Sequence, residues 1–346
     1  MAAPKNKRFL LCNRPFGEPN GSEFAPDEAA VAPVADGQVL RRTLFLSLDP
    51  YMRGRMNAGQ SYVEPVELGQ VMCGGTVSQV VQSRNAAFAQ GDFVLGYDGW
   101  QEYGVSDGKD LTPLSPAGKP GLGPDGRWPL SYALGVLGMP GLTAYVAMLD
   151  IGQPAAGQTV VVSAAGGAVG SVAGQLAKIK GARVVGIAGS DDKCRWATED
   201  LGFDACINYK TEHLLRGLRK HCPEGIDVYF DNVGGATLQT VLRMINTGAR
   251  IPLVGMISQY NATEPAPGPN LAPLLVKRAM IRGMIVNDHA DRREAFGSDM
   301  SAWLGQGKVK VRETVVGGLD NAPRAFIGLF HGENIGKLIV RVTQPD

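Results

Sequence analysis

Apolar positions change their spacing twice along this chain. In the first third they come in short runs broken by Gly and Pro, at 37–48, 71–81 and 91–105. Runs of that length between turn residues predict strands. Residues 115–128 (SPAGKPGLGPDGRW) predict a surface loop, and a helical pattern begins near Tyr132. At Thr159 the pattern becomes alternating. Thr159–Ser163 (TVVVS) is a continuous β-branched run; a glycine cluster follows; then Val169, Val172, Ala173, Leu176, Ala177 and Ile179 recur at helical spacing before a second continuous run at 183–187. Further short apolar runs stand at 226–230 (IDVYF), 250–254 (RIPLV) and 280–286 (MIRGMIV). Near-continuous apolar strands between helices predict a parallel sheet covered on both faces. After Ala302 the pattern is β-like again and ends in 337–342 (KLIVRV). The expected organisation is an α/β chain: a β-rich part from 1–130 and 303–346, with a parallel-sheet domain, 131–302, inserted between.

The glycine cluster carries the most chemistry. It reads Ala165-x-Gly167-x-x-Gly170, with Ala in the first glycine position of the dinucleotide fingerprint. Glycines there let the backbone turn tightly and approach a pyrophosphate, and the following helix offers free N–H groups and a positive dipole end. The bland alternative is a βαβ turn without a ligand, but the strand before, the helix after and the length of the unit are those the motif requires. Ala165, Gly166, Gly167, Ala168, Val169 and Gly170 are therefore candidate cofactor contacts. Ligands of such sheets sit at the carboxyl ends of the strands. That rule adds Gly189 and Ser190, Asn232, the segment holding Gly255, Met256, Ser258 and Tyr260, and Asn287. An NAD site usually carries an acid at the end of the second strand. Here the tip is small and neutral, Lys193 follows within a turn, and Tyr209 is placed to flank an adenosine, which points to NADP(H). Asp191 and Asp192 argue the other way, but acids in the first turn after a Ser190 N-cap also suit the helix dipole.

Composition narrows the classes. A chain of 346 residues is comfortable for two domains, and its hydrophobic and charged shares are those of a globular protein. A net charge of +1 gives no electrostatic case for nucleic acid or an anionic membrane surface. No apolar run reaches the roughly eighteen residues of a span, and MAAPKNKRFLLCNRP has too short an apolar stretch for a secretory signal. Five scattered cysteines without C-x-x-C spacing predict reduced thiols in a cytoplasmic protein, with neither a disulfide framework nor a structural zinc.

Six segments, in order across nearly the whole chain, carry a family resemblance: 47–56 (SLDPYMRGRM), 138–145 (GMPGLTAY), 164–171 (AAGGAVGS), 230–235 (FDNVGG), 255–261 (GMISQYN) and 332–337 (GENIGK). The chain resembles the medium-chain dehydrogenase/reductases, in the zinc-free branch of prostaglandin, 2-alkenal double-bond and curcumin reductases. The resemblance implies a GroES-like β-rich catalytic domain with an inserted Rossmann doubly wound parallel sheet, and a homodimer. It implies NADPH-dependent reduction of the double bond of an α,β-unsaturated ketone or aldehyde, hydride going to the β-carbon. None of the four histidines lies in the Gly-His-Glu motif of the zinc-dependent cousins, so no catalytic metal is expected.

That reaction asks the protein for a donor at the developing enolate oxygen and a proton for the α-carbon. The resemblance makes Tyr260 the first candidate donor; its plain alternative is an aromatic wall packing on the cofactor. Tyr51, in the β-rich part, is the second, and Tyr62, in a loop that could cover the substrate, the third. The resemblance also assigns Asn334 to the nicotinamide side or the pyrophosphate, where turn chemistry alone would explain an Asn between glycines. Arg55 is expected to be a solvated charge or ion pair, and Asp49 to orient its turn. The loops 57–70 and 257–275 are expected to supply substrate walls. Two rivals remain at this point: an NADPH quinone oxidoreductase on the same fold, and an NADPH-binding protein without turnover.

Overall fold

In the computed structural model the TVVVS run, Thr159–Ser163, is a central strand, buried at every position. The structure describes residues 5–59, 61–123, 125–264 and 266–344. Residues 1–4, Gln60, Pro124, Pro265 and 345–346 lie outside them, and with them parts of the N-terminal segment and of the loops 57–70, 115–128 and 257–275 singled out above. The chain divides into two compact units. One takes residues up to Leu134, then Glu313–Asn334 and Leu338 onward; the other takes Gly135–Arg312 and Ile335–Lys337. Residues 303–312 thus group with the sheet unit. The helix Arg293–Gly305 runs through the point where the sequence pattern changes, and the next strand starts only at Glu313.

The sheet unit holds six parallel strands in the spatial order Ala205–Asn208, Arg183–Ala188, Thr159–Ser163, Ile226–Phe230, Ile245–Leu253, Met280–Gly283. Counted in chain order this is 3-2-1-4-5-6, the doubly wound Rossmann arrangement. The direction of winding reverses between Thr159–Ser163 and Ile226–Phe230. Both strands are shielded because helices cover the sheet, and Val161, Tyr229, Ile251 and Leu218 share one dry cluster. The helix Ala168–Ile179 packs close because Gly174 has no side chain: a Cβ there would lie 1.9 Å from Cζ of Phe203.

Most strand pairs of the β-rich unit are antiparallel, while Glu313–Gly317 runs parallel to Lys337–Arg341. Its seven-stranded sheet runs Glu313–Gly317, Lys337–Arg341, Val39–Ser47, Thr76–Ser83, Phe93–Gly96, Thr112–Ser115, and Tyr103–Ser106 also pairs with Val39–Ser47. A hairpin, Lys5–Leu11 with Phe24–Ala30, stands beside it. Phe24 stacks on Trp100 with centroids 4.9 Å apart, and Phe326 meets both edge-on.

Three elements differ from the sequence pattern. Residues 322–331, expected β-like, form a helix, Ala322–His331, with Pro in its first turn and Ala322, Phe326 and Leu329 buried at helical spacing. The strand foreseen at 250–254 begins at Ile245, its polar start masking the period. Ala205–Asn208 was not foreseen as a strand; at four residues beside a polar turn it is too short to show one. No described helix is long and apolar enough to cross a membrane.

Candidate dinucleotide site

After Ser163 the chain turns at Ala164, a non-glycine residue at φ +50°. The Ala165 N–H donates to the Ile187 carbonyl (3.0 Å), the Gly167 N–H to that of Ala164 (2.9 Å), and helical bonding starts with Ser171 N–H to Gly167 O (3.1 Å). Each glycine position has its own steric reason. A Cβ on Gly170 would lie 2.4 Å from the Ala164 carbonyl oxygen, and one on Gly167 3.2 Å from it, so the helix could not sit so close to its strand. One on Gly166 would lie 2.8 Å from Lys193 Cγ. Alanine is accepted at 165 because Gly186 faces it: a Cβ on 186 would come within 2.9 Å of the Ala165 methyl. Gly167, the N-cap, offers no side-chain acceptor to the helix Ala168–Ile179. The first N–H groups, from Ala168, Val169 and Gly170, have no intrahelical partner by geometry and form a cradle for an anion such as a pyrophosphate.

A contact that no local pattern announces completes this turn. The Gly336 N–H donates to the Gly166 carbonyl (2.8 Å), and Gly336 pairs in parallel with Gly167. A Cβ on Gly336, at φ +69°, would lie 1.9 Å from the Arg312 carbonyl oxygen, so only glycine fits. Asn334 falls in the β-rich unit, whereas Ile335–Lys337 belong to the sheet unit.

At the tip of the second strand, the Ser190 hydroxyl accepts the Lys193 N–H (3.3 Å) and caps the helix Asp191–Arg195. The two acids there are engaged within the protein. Asp191 accepts from Asn208 Nδ2 (2.7 Å), and Asp192 pairs with Arg195. Lys193 lays its stem over Gly166, and Tyr209 rests on Gly189, its hydroxyl 3.0 Å from where a Cβ would stand. Burial pulls the proton affinity of the Lys193 ammonium down, and the like charge of Lys210 adds to it. An anion at this tip would relieve both.

The turn after Ile226–Phe230 is held by a buried carboxylate. Asp231 Oδ1 accepts from the Tyr229 hydroxyl (2.8 Å), the Val233 and Gly234 N–H groups (2.9 Å each) and the Ser163 hydroxyl (3.2 Å). Burial raises the proton affinity of Asp231, and these donors work against that rise. Asn232 crosses to the neighbouring strand end, its N–H on Ser163 Oγ (2.9 Å) and its Nδ2 on the Ser163 carbonyl (2.7 Å). Ser258 Oγ donates to the Val233 carbonyl (2.6 Å), which brings the 255–260 segment over the same turn. There the Tyr260 hydroxyl accepts the Met256 N–H (3.3 Å) and stands 3.3 Å from a Cβ position on Gly255. Burial pushes the Tyr260 phenol above its ordinary pKa. Asn232, Gly255, Met256, Ser258 and Tyr260 are therefore gathered beside the glycine turn at the switch point. Asn287 follows a further strand of the same sheet. It is exposed, in the turn Val286–Arg292 after the edge strand. Ser163, Tyr229 and Asp231 were missed from sequence; a polar residue closing an otherwise apolar strand was their signal.

In the β-rich unit, Tyr51 precedes the short helix Met52–Arg55, and its hydroxyl meets that of Tyr97. Asp49 accepts from the Ser47 hydroxyl. Arg53 is buried and ties to the Gly17 carbonyl (2.7 Å) and Asn57 (2.6 Å). Arg55, expected to be a solvated charge or an ion pair, is half-buried. Tyr62 is 57% exposed. Among the described residues no group of three or more His, Cys, Asp or Glu is placed to hold a metal ion.

Two family models match the chain: "N-terminal domain of oxidoreductase" over residues 7–114 and "Zinc-binding dehydrogenase" over 168–301. The NADPH-dependent curcumin reductase of Escherichia coli is 49% identical over 348 residues, covering 99% of this chain and 98% of that protein. Prostaglandin reductase 1 of Bos taurus is 42% identical, covering 97% and 98%. Among solved structures, CurA of Vibrio vulnificus in complex with NADPH superposes with a TM-score of 0.92 at 50% identity, over 98% of this chain and 100% of that one.

Proposed function

This chain belongs to the medium-chain dehydrogenase/reductases, in the zinc-independent branch that holds the curcumin and prostaglandin reductases, and on that premise we propose that it uses NADPH to reduce the carbon–carbon double bond of α,β-unsaturated ketones and aldehydes. The observation that carries this reading is the set of groups around the switch point: a glycine cradle, a lysine-bearing tip and a half-buried phenol, each past a different strand end. NADPH, when bound, supplies the hydride for the substrate β-carbon. The chain's own work is to hold the cofactor and to manage charge and protons. The N–H groups of Ala168, Val169 and Gly170 take the pyrophosphate, Lys193 the 2′-phosphate, Tyr209 the adenosine, and Asn232 and Asn334 the nicotinamide side. As the double bond is reduced, charge builds on the carbonyl oxygen. The Tyr260 oxygen already accepts one N–H, so its own O–H remains to be donated to that charge. Tyr51 and Tyr62 are the further donors assigned to substrate.

The deciding assay follows NADPH absorbance with an enone, an enal and a quinone in parallel, with and without chelator. Decay with the enone and enal, unchanged by chelator, is the expected result. Decay with the quinone alone would move the reading to a quinone oxidoreductase. Tight NADPH binding with no decay at all would leave a non-catalytic binding protein, and loss on chelation would overturn the zinc-free chemistry.

A second copy of the chain is the proposed partner. Met280–Gly283 ends the six-stranded sheet, and Leu271, Leu275 and Val276 beside it are 56%, 81% and 66% exposed. An open strand edge with apolar side chains around it favours pairing. Sedimentation should give a dimer that Leu275→Glu weakens; a monomeric native protein at micromolar concentration would sink the assignment.

A further inference from the structure

Three loops of the β-rich unit are laced together around Tyr51. The Ser47 N–H donates to the Gly75 carbonyl (2.9 Å), the Gly99 N–H to Gly74 (3.0 Å) and the Trp100 N–H to Met72 (2.8 Å). Gly99, at φ +76°, makes the last approach possible, since a Cβ there would lie 2.4 Å from the Met72 carbonyl oxygen. The lacing brings Tyr51, Cys73 and Tyr97 side by side. The Tyr51 and Tyr97 hydroxyls are hydrogen-bonded to each other, and the Cys73 thiol stands beside them. Asp49 and Arg55 are the charged groups that flank them.

Burial raises the proton affinity of all three groups, Tyr51 well above the ordinary value and Cys73 to about 11. Near neutral pH each therefore keeps its proton, and the row holds protons without holding charge. Tyr51 is half-buried, whereas Tyr97 is 47% exposed and so stands in water on one side. The more shielded side chain and the more exposed one share a hydrogen bond between their hydroxyls.

We propose that Tyr97 is a positioning and relay residue for Tyr51, fixing the Tyr51 hydroxyl as the proton donor to the substrate α-carbon and restoring its proton from solvent. The proposal rests on the enone-reductase reading above. Its steps balance without any redox change. The Tyr51 O–H bond breaks as the α-carbon–hydrogen bond forms, leaving the saturated carbonyl and a Tyr51 phenolate. Tyr97 passes its proton to Tyr51, and Tyr97 takes one from water. One proton is drawn from solvent per turnover. An enolate carbon is a stronger base than a phenolate, so the first transfer runs downhill even with the Tyr51 proton affinity raised. The Arg55 guanidinium, whose charge lowers the proton affinity of Tyr97, eases the transient charge.

The test is reduction of an α-methyl enone in D2O, with rate and α-carbon configuration read together. The native enzyme should place deuterium on one face. Tyr97→Phe keeps the ring and removes the hydroxyl. It should lower kcat about ten-fold, less than the ~10²-fold or more of a positioned acid because Tyr51 remains, and should leave KM for NADPH unchanged. The product should become a mixture at the α-carbon as water reaches both faces. Tyr51→Phe with Tyr97→Phe should lose no more than Tyr51→Phe alone, as expected of residues acting as one unit. Unaltered rate and face selectivity in Tyr97→Phe overturn the relay, as does a slower enzyme that still deuterates one face. A native enzyme that reduces no enone overturns the functional reading instead, and is told apart because it needs no variant.

Discussion

Tyr260→Phe is expected to lower turnover of an enone by about 10- to 1,000-fold, the span of losing a single donor to a developing oxyanion. The change removes one O–H and leaves the ring. The site gives a reason to expect most of the loss in kcat. The Tyr260 oxygen accepts the Met256 N–H, which orients the hydroxyl and leaves its proton to donate. Burial raises the phenol's pKa, so the donor is intact at neutral pH. The alkaline limb of kcat should accordingly lie above the ordinary tyrosine value of about 10. Phenylalanine also strands the Met256 N–H, so melting temperature and NADPH affinity must be measured alongside. A fall in kcat with both unchanged assigns the phenol to catalysis, and an unchanged rate leaves Tyr260 as packing.

Lys193→Ala should raise KM for NADPH by about 10- to 100-fold while changing that for NADH little. A hydrogen bond to a charged group contributes about 1.5–3 kcal/mol, which corresponds to roughly 10- to 150-fold in affinity. Lys193 and Lys210 are like charges at the strand tip, and Lys193 is half-buried besides. A dianionic 2′-phosphate offsets both penalties; a 2′-hydroxyl offsets neither. The lysine stem also covers Gly166, so alanine opens space beside the pyrophosphate turn. Lys193→Met keeps the stem and removes the charge. It should reproduce the NADPH effect, and equal losses for NADPH and NADH in either variant would sink the 2′-phosphate assignment.

The two acids at that tip show where reading from sequence stopped. Asp191 and Asp192 stood as an argument for NAD, and only the fold shows Asp191 held by Asn208 and Asp192 by Arg195. The helix Ala322–His331 shows the same limit in secondary structure. Its buried stripe was present in AFIGLF, but the β-like residues on either side outweighed a pattern only ten residues long.

By itself the sequence determined whatever is built from near neighbours: the strand–glycine–helix unit, a sheet buried on both faces, the neutral tip with its lysine, and the family segments. Such features follow from backbone sterics and from periodicities of two and 3.6 residues, and both operate within a few turns of chain. Only the tertiary structure decided which distant residues meet. Tyr51 and Tyr97 are 46 positions apart, Ser163 and Asp231 are 68 apart, and Gly336 returns from near the end of the chain to close the glycine turn. Contacts of that kind are made by strand order and loop lacing. No local pattern records which residues pair, because each partner is by itself an ordinary residue in a turn or at a strand end.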